Sequence, residues 1–494
     1  MQYSVVNYKD LEKGSWRLDP EYYHPENLFL LKVLKEQSYS HICDFSFVTD
    51  GIHASIEFDD KSKINLLSAK TTKENYFDLS GTGFITKIQD SKNKRTRLKI
   101  DDVIISTVGT IGNCAVVDES ILPANADRHV GIVRIKKDYK PRFLSSFLLS
   151  KYGRFQTFRE ATGNIQLNLF VYKIKEIVVP RLSFNFQDII ENLCIKANQL
   201  LLNSKSLYYQ AEQLLLSDLG LSDWKPTHKL AFVKRFSDTK QADRFDAEYF
   251  QPKYEEIIDA VKRYKGGFDE LGNLVKIKKS VEPGSEAYQE SGVPFVRVSN
   301  LSKLDISDNN QHFISDKLYN ELKTHQPQKG EILLSKDATP GIAYYLNEET
   351  QKMIVSGGIL RLQIDKQQVL PEYLTLVLNS TIIQKQIERD TGGSIINHWR
   401  PDQVETAIIP ILKEDKQKKI KELVEQSFND RKVSKSLFEI AKRGVEMAIE
   451  KTEKETETWI KTSEAIEVGM VKPELLHGKG STTPILSQRG ASRP

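Results

Sequence analysis

Only three cysteines occur in 494 residues, and Cys43, Cys114 and Cys194 stand far apart and singly. Neither a paired-thiol metal site nor a disulfide framework can be assembled from neighbours, so they read as buried or idle thiols. No apolar run approaches the roughly 20 residues of a membrane span. The opening, Met1 to Asp10, lacks the basic stretch and apolar block of a secretion signal, so the cytoplasm is the expected location. A large excess of one charge is also missing. With 71 basic and 67 acidic residues the net charge is +4, which excludes an all-over basic coat and leaves room for a local basic face.

Catalytic signatures are absent too. There is no phosphate-cradling loop, since Gly478-Lys-Gly-Ser-Thr482 lacks the leading glycine. No dinucleotide fingerprint, His-Glu-x-x-His or Gly-x-Ser-x-Gly elbow occurs. The Asn/Asp-Pro-Pro-aromatic loop of amino-group methyltransferases is missing as well. These gaps favour binding over catalysis, with no catalytic residue, metal site or cofactor expected in this chain.

What the sequence does contain is an internal duplication. Arg17-Leu-Asp-Pro-Glu-Tyr-Tyr-His-Pro25 returns as Arg244-Phe-Asp-Ala-Glu-Tyr-Phe-Gln-Pro252. Later segments keep an offset of about 229 residues. Asp102-Val-Ile-Ile-Ser106 matches Glu331-Ile-Leu-Leu-Ser335, the turn ending at Gly112 matches that ending at Gly341, and Gly131-Ile-Val-Arg-Ile135 matches Gly358-Ile-Leu-Arg-Leu362. Each half reads as a helix after a proline, short strands broken by Gly, Asn and Asp, a helix near Phe143 or Tyr373, and a last strand stopped by Pro180 or Pro410. That composition predicts an α+β globule per half.

A long helix follows each globule. Ile190, Leu193, Ala197, Leu200, Ser204, Leu207, Ala211 and Leu214 alternate steps of three and four, the spacing that keeps one stripe toward a partner helix. Ile420, Leu423, Ser427, Asp430, Ser434, Leu437, Ala441 and Gly444 hold equivalent places. The spacing predicts that the two helices pair with each other over roughly 45 Å, with small residues allowing close approach and Asp430 fixing register. The alternative is that each folds back on its own globule.

Taken together, the Arg-x-Asp-x-Glu-Tyr-aromatic openings, the turns Asp102 to Gly112 and Gly330 to Gly341, the Thr-Gly closings and the heptad helices make the chain resemble the specificity subunit of type I restriction-modification systems. The resemblance covers about residues 15 to 460. It departs where Arg128-His129 stand in place of Ser356-Gly357, and after Val468, where the tail has no counterpart. It implies two tandem target-recognition domains, mixed short-strand globules separated by two long helices that pair as an antiparallel coiled coil in a pseudo-twofold duplication. The expected divisions are 1–182 for the first recognition domain, 183–222 for the central helix, 223–412 for the second domain, 413–464 for the distal helix and 465–494 for an unpacked tail. It further implies that the chain is non-catalytic and reads a bipartite, asymmetric site in double-stranded DNA. Two methyltransferase subunits would dock on it and supply S-adenosylmethionine, restriction and motor subunits would bring ATP and Mg, and no membrane would be involved.

Candidate DNA contacts follow from residue chemistry. Lys87, Lys92, Lys94, Arg95, Arg97 and Lys99 crowd one segment and read as phosphate contacts. Lys276, Lys278 and Lys279 form a sparser second patch. Base edges in the major groove call for forked or paired donors and acceptors, which Asn125, Asp127, Arg128 and His129 could supply in the first half. Arg297, Asn300, Lys336 and Asp337 are their counterparts, chosen because they flank strand ends that the family turns toward DNA. Arg400 is a backbone-contact candidate, while Asn168 and Asn397 read as turn residues satisfying their own backbone. Two other readings stay open. One is a stand-alone duplicated DNA-binding protein of a related phage-defence or regulatory system. The other is a coiled-coil scaffold whose globules bind protein, which would have no salt-dependent affinity for DNA.

Overall fold

The computed structural model describes residues 5–12, 17–163, 166–308, 310–391 and 397–469; the tail from residue 470 lies outside them. Strands of the first half are β1 (Tyr39–His41), β2 (Ser46–Asp50), β3 (Ile64–Leu67), β4 (Phe84–Ile85), β5 (Val103–Ser106), β6 (Cys114–Val116), β7 (Ala124–Ala126), β8 (Val130–Ile135) and β9 (Val178–Pro180). Those of the second are β10 (Phe268–Glu270), β11 (Val275–Lys278), β12 (Val293–Val296), β13 (His312–Ile314), β14 (Glu331–Ser335), β15 (Ala343–Tyr345), β16 (Ile354–Val355), β17 (Ile359–Ile364) and β18 (Ile408–Pro410).

The duplication holds strand for strand. The sheet order β2-β8-β5-β6 reappears as β11-β17-β14-β15, β4-β3-β7 as β13-β12-β16, and the pair β1-β9 as β10-β18. Even the parallel pairing of β3 with β7 is repeated by β12 with β16. β5 and β14 are central and buried along their whole length, because their apolar residues serve both faces. Alternate side chains go opposite ways. Val103 and Ile105 enter the core on the helix side and Ile104 enters that beneath the three-stranded sheet; Ile332 and Leu334 are likewise divided from Leu333.

The helix Pro141–Leu149 is buried from Phe143 onward. It lies between β6 and the first long helix, with Cys114 Sγ near the Ser145 carbonyl and Ser146 Oγ 3.4 Å from Cys194 Sγ. Burial pushes both thiols up to about 12, so they stay protonated. In the second half, Pro371–Asn379 takes this place. The Asn379 amide accepts from Ala343 N at 3.0 Å and donates to its carbonyl at 2.8 Å, behaving as one more strand residue at the β15 edge.

The long helices are Phe184–Asp218 and Glu414–Glu450; a cap at Thr452 then starts a closing helix, Glu453–Glu467. No helix of the described residues is long and apolar enough to cross a membrane. Two compact units divide inside both long helices: one contains residues up to Leu201 and resumes at Lys432, and the other runs from Leu202 to Arg431. In the first, Ile190, Leu193 and Ala197 share a core with Leu437, Ala441 and Val445. In the second, Tyr208, Ala211 and Leu215 share one with Ile420 and Val424. The early part of each helix thus meets the late part of the other, which is the antiparallel pairing expected from the heptads. One detail differs. Ile190, Ala197, Ser204 and Ala211 are buried, but the deepest residues between the later ones are Leu201, Tyr208 and Leu215 rather than Leu200, Leu207 and Leu214. A helix of 3.6 residues per turn drifts against a 3.5 repeat, and these turns face a globule as well as a helix.

Asp430 sits in the seam at 3% exposure and accepts from Asn203 Nδ2 at 2.5 Å and Gln426 Nε2 at 2.6 Å. Nearby, Ser427 Oγ donates to the Ser204 carbonyl at 2.8 Å. Sliding one helix by a turn would break the bonds with Asn203 and Ser204 and leave the buried carboxylate only the Gln426 donor of its own helix. Asp430→Ala is therefore expected to lower unfolding free energy by about 1–3 kcal/mol, measured by urea unfolding of the full chain; an unchanged midpoint would mean that the polar contact does not set register.

Candidate nucleic-acid interface

In the first half the cation-rich segment lies alongside β7. Leu98 N donates to the Ala124 carbonyl at 3.0 Å, and Arg97 bridges to Asn125. Lys87, Lys92, Lys94, Arg95, Arg97 and Lys99 are all exposed. Two of them are held by carboxylates: Arg95 approaches Asp50 at 3.3 Å, and Arg97 pairs with Asp90. Lys87, Lys92, Lys94 and Lys99 have no acidic partner among the described residues, so their charge is available to solvent or phosphate.

Asn125 does not belong with the base-reading candidates. It is fully buried, receives Thr96 Oγ1 at 2.5 Å and donates to Asp90 Oδ1 at 3.0 Å. Its amide lies under the cationic segment and fixes the carboxylate that holds Arg97. Asn300 is corrected in the same way: at 1% exposure it accepts from Arg297 N at 3.1 Å and donates to the Ser307 carbonyl at 3.0 Å. Both are amides satisfying turn backbone, which burial obliges them to do.

Asp127, Arg128 and His129 form the turn before β8. Asp127 accepts from His129 N at 2.8 Å and lies 3.0 Å from its Nδ1, while Arg128 projects into solvent beside the imidazole. In the second half Lys336 Nζ is 2.5 Å from Asp337 Oδ2, whose other oxygen is 2.9 Å from His398 Nδ1. Arg400 is exposed and pairs with Asp402 at 2.9 Å; Arg297 Nη2 donates to the Asn310 carbonyl at 2.7 Å. The lysine patch is not a row of free cations. Lys276 meets Asp365 at 2.9 Å, and Lys278 lies 2.9 Å from Glu331, a buried carboxylate that requires a partner. Lys279, at the end of β11, is exposed.

One arrangement brings these turns together in both halves. Thr107 N donates to the His129 carbonyl at 3.0 Å, and Leu169 N donates to the Thr107 carbonyl at 2.9 Å. Lys336 repeats this between Gly358 and Trp399, at 2.9 and 2.8 Å. The turn after the central strand is thus clamped between the start of β8 or β17 and the loop leading from the Thr-Gly position. Gly109 and Ala338 both lie at positive φ, 71° and 59°. The alanine accepts a conformation that glycine adopts more readily. Residues 164–165 and 392–396 of the Thr-Gly loops lie outside the described residues.

The clusters also contain residues that sequence reasoning missed. His53 Nε2 lies 2.5 Å from Asp50, at the end of β2, and His398 completes the Asp337 pair. The signal was an aspartate-glycine turn directly after a strand, Asp50-Gly51, and a histidine inside the closing motif. Burial pushes the Asp50 and Asp337 carboxyls up, but the bonds from His53, and from His398 and Lys336, outweigh it and hold both below the ordinary range. Both are therefore ionised acceptors at neutral pH. Within the first half, free lysines on one flank and carboxylate, imidazole and guanidinium groups beside strand ends are chemically suited to phosphates and base edges.

Residues 267–437 match the family model of the type I restriction modification DNA specificity domain. No curated protein matches the chain. Among solved structures, the type I restriction-modification S subunit from M. genitalium is similar at 12% identity over 86% of this chain and 95% of that one, with a TM-score of 0.37. The HsdS subunit from Thermoanaerobacter tengcongensis is similar at 13% identity over 88% and 97%, with a TM-score of 0.26. A type I R-M system structure described for complex assembly and conformational transition is similar at 13% identity over 88% and 98%, with a TM-score of 0.25. The matched domain occupies the second half, which is thus similar to that DNA specificity domain, and the first half repeats its sheets strand for strand.

Proposed function

We propose that each half of the chain reads one half-site of a bipartite, asymmetric sequence in double-stranded DNA. One observation carries this reading: the two halves build the same strand-end turns and furnish them differently. Thr107-Val108-Gly109 with Arg128-His129 answers to Lys336-Asp337-Ala338 with Gly357-Gly358. Identical scaffolds with different donors and acceptors at equivalent places suit two different short sequences, whereas a palindrome would call for identical ones. Lys92, Lys94 and Lys99 act on phosphates, and the His129–Asp127 and Lys336–Asp337–His398 groups address base edges. The chain recognises and does not react. Two methyltransferase subunits with S-adenosylmethionine act on the chosen site, and restriction and motor subunits with ATP and Mg complete the assembly.

Replacing Lys92, Lys94 and Lys99 together by Gln tests the DNA reading. Affinity of the full chain for duplex DNA should fall for every sequence alike. The slope of log affinity against log salt should decrease by about 0.9 for each phosphate that is no longer neutralised, measured by fluorescence anisotropy across a salt series. Unchanged affinity and slope would contradict the assignment and favour a protein-binding scaffold.

A further inference from the structure

The duplicated opening motif takes no part in the candidate interface, yet it is built alike in both halves. The Arg17 guanidinium grips Asp19 with two bonds, Nε to Oδ1 at 2.8 Å and Nη2 to Oδ2 at 2.6 Å, and its remaining nitrogen donates to the Arg159 carbonyl at 2.9 Å. Arg244 grips Asp246 at 2.7 and 2.8 Å and donates to the Asp390 carbonyl at 3.2 Å. A tyrosine ring lies between two guanidinium groups each time. Tyr22 has Arg17 at 4.5 Å and Arg159 at 3.7 Å from its centre, and Tyr249 has Arg244 at 4.6 Å and Arg389 at 5.3 Å. Each bonded aspartate is held below the ordinary carboxylate range by its arginine.

The carbonyls gripped belong to the last turn of Lys151–Glu160 and of Thr381–Thr391, where a helix leaves carbonyls without partners. A side chain from the start of each half therefore caps the helix from which the Thr-Gly loop departs. From there a chain of hydrogen bonds leads to the strand-end turns. In the second half the Asp390 carboxylate, 9% exposed, accepts from Trp399 Nε1 at 3.3 Å. Trp399, fully buried, donates its backbone N–H to the Lys336 carbonyl at 2.8 Å, beside Asp337 and His398. In the first half Thr162 and Asn168 exchange backbone bonds of 2.9 and 2.8 Å, and Leu169 then holds Thr107, which holds His129.

We propose that Arg17 and Arg244 are positioning residues for sequence reading, each fixing, through the helix end it caps, the strand-end turns of its own half. The inference rests on the proposed DNA reading. It explains why the spacing from arginine to aspartate to tyrosine is kept in both halves while the turns themselves differ. Lysine cannot replace the arginine, because an ammonium cannot bond two carboxylate oxygens and a carbonyl in the planar fork that this geometry uses.

The test is selection from a randomised duplex DNA library by the full-length chain, run on wild type, Arg17→Lys, Arg244→Lys and Trp399→Phe, with unfolding midpoints and salt slopes measured alongside. Trp399→Phe keeps a buried aromatic ring and the clasp and removes the donor to Asp390 together with part of the indole's volume, so, read beside its unfolding midpoint, it probes the path if an arginine variant fails to fold. Wild type should enrich two separated blocks. Arg244→Lys and Trp399→Phe should lose preference in the same single block, by about tenfold or more per position, with the salt slope unchanged because no phosphate contact is removed. Arg17→Lys should degrade the other block. Retention of both blocks by all three variants, or an equal loss in both blocks that follows a lowered unfolding midpoint, would overturn the proposal and leave the clasp a structural feature only. A wild-type chain that selects no sequence would overturn the DNA reading and this inference together, an outcome distinct from the other two.

Discussion

The main core of each half is completed by helix residues from the other half. The first globule's core takes in Leu437, Phe438, Ile440, Val445, Ile449 and Ile460 from the far end of the sequence, and the second takes in Tyr208, Leu215, Leu216 and Leu219 from the first half. At about 1.5–3 kcal/mol for each large apolar side chain, the six in the first core represent roughly 9–18 kcal/mol of gross burial. That matches the whole net stability of a typical domain, about 5–15 kcal/mol. The long helices are thus structural members of both globules, and their antiparallel pairing completes the main core of each. It also accounts for the tolerance of small and polar residues in the seam. Ser204, Ser427, Ser434 and Asp430 weaken a helix pair, but the flanking apolar contacts to the globules are strong enough to offset them.

On this base the candidate interface is assembled at strand ends, by buried groups that never reach its surface. Asn125 holds Asp90, which holds Arg97. Glu331 is enclosed by Lys278 and lies 3.7 Å from Arg361. Such buried polar networks fix direction more than they add stability. Above them the exposed groups are few and chemically distinct: free lysines, three carboxylate–imidazole pairs beside strand ends, and the arginines at 128 and 400. A scaffold made rigid by its interior can exchange surface side chains without refolding, which suits a protein whose two halves share a frame and differ at the tips.

The sequence revealed the frame more readily than the tips. Duplication was visible because strand residues such as Val103 to Ser106 and Glu331 to Ser335 are constrained on both faces, so their pattern survives in both copies. The helix pairing was legible for the same reason, although the drift toward Leu201, Tyr208 and Leu215 depends on which globule each turn touches and has no signature in spacing. The assignment of Asn125 and Asn300 to base reading was misplaced, because an amide on a loop has the same residue chemistry whether it faces a base or closes a turn. Lys276 and Lys278 were harder still, since their partners Asp365 and Glu331 lie many residues away and meet them only across the sheet. The Arg17 and Arg244 motifs were recognised as repeats, but nothing in their spacing indicated that the helix ends near Arg159 and Asp390 are what they grip.

The central claim is that this chain alone decides which DNA is chosen, and that it does so with two unlike halves. Base-resolution mapping of methylated adenine, in cells expressing the chain with the methyltransferase subunits proposed to dock on it and in the same cells without the chain, tests it most directly. The expected result is one motif of two different blocks separated by a fixed gap, present with the chain and gone without it. Methylation that persists unchanged when the chain is removed, or a motif whose two blocks are the same sequence, would contradict it.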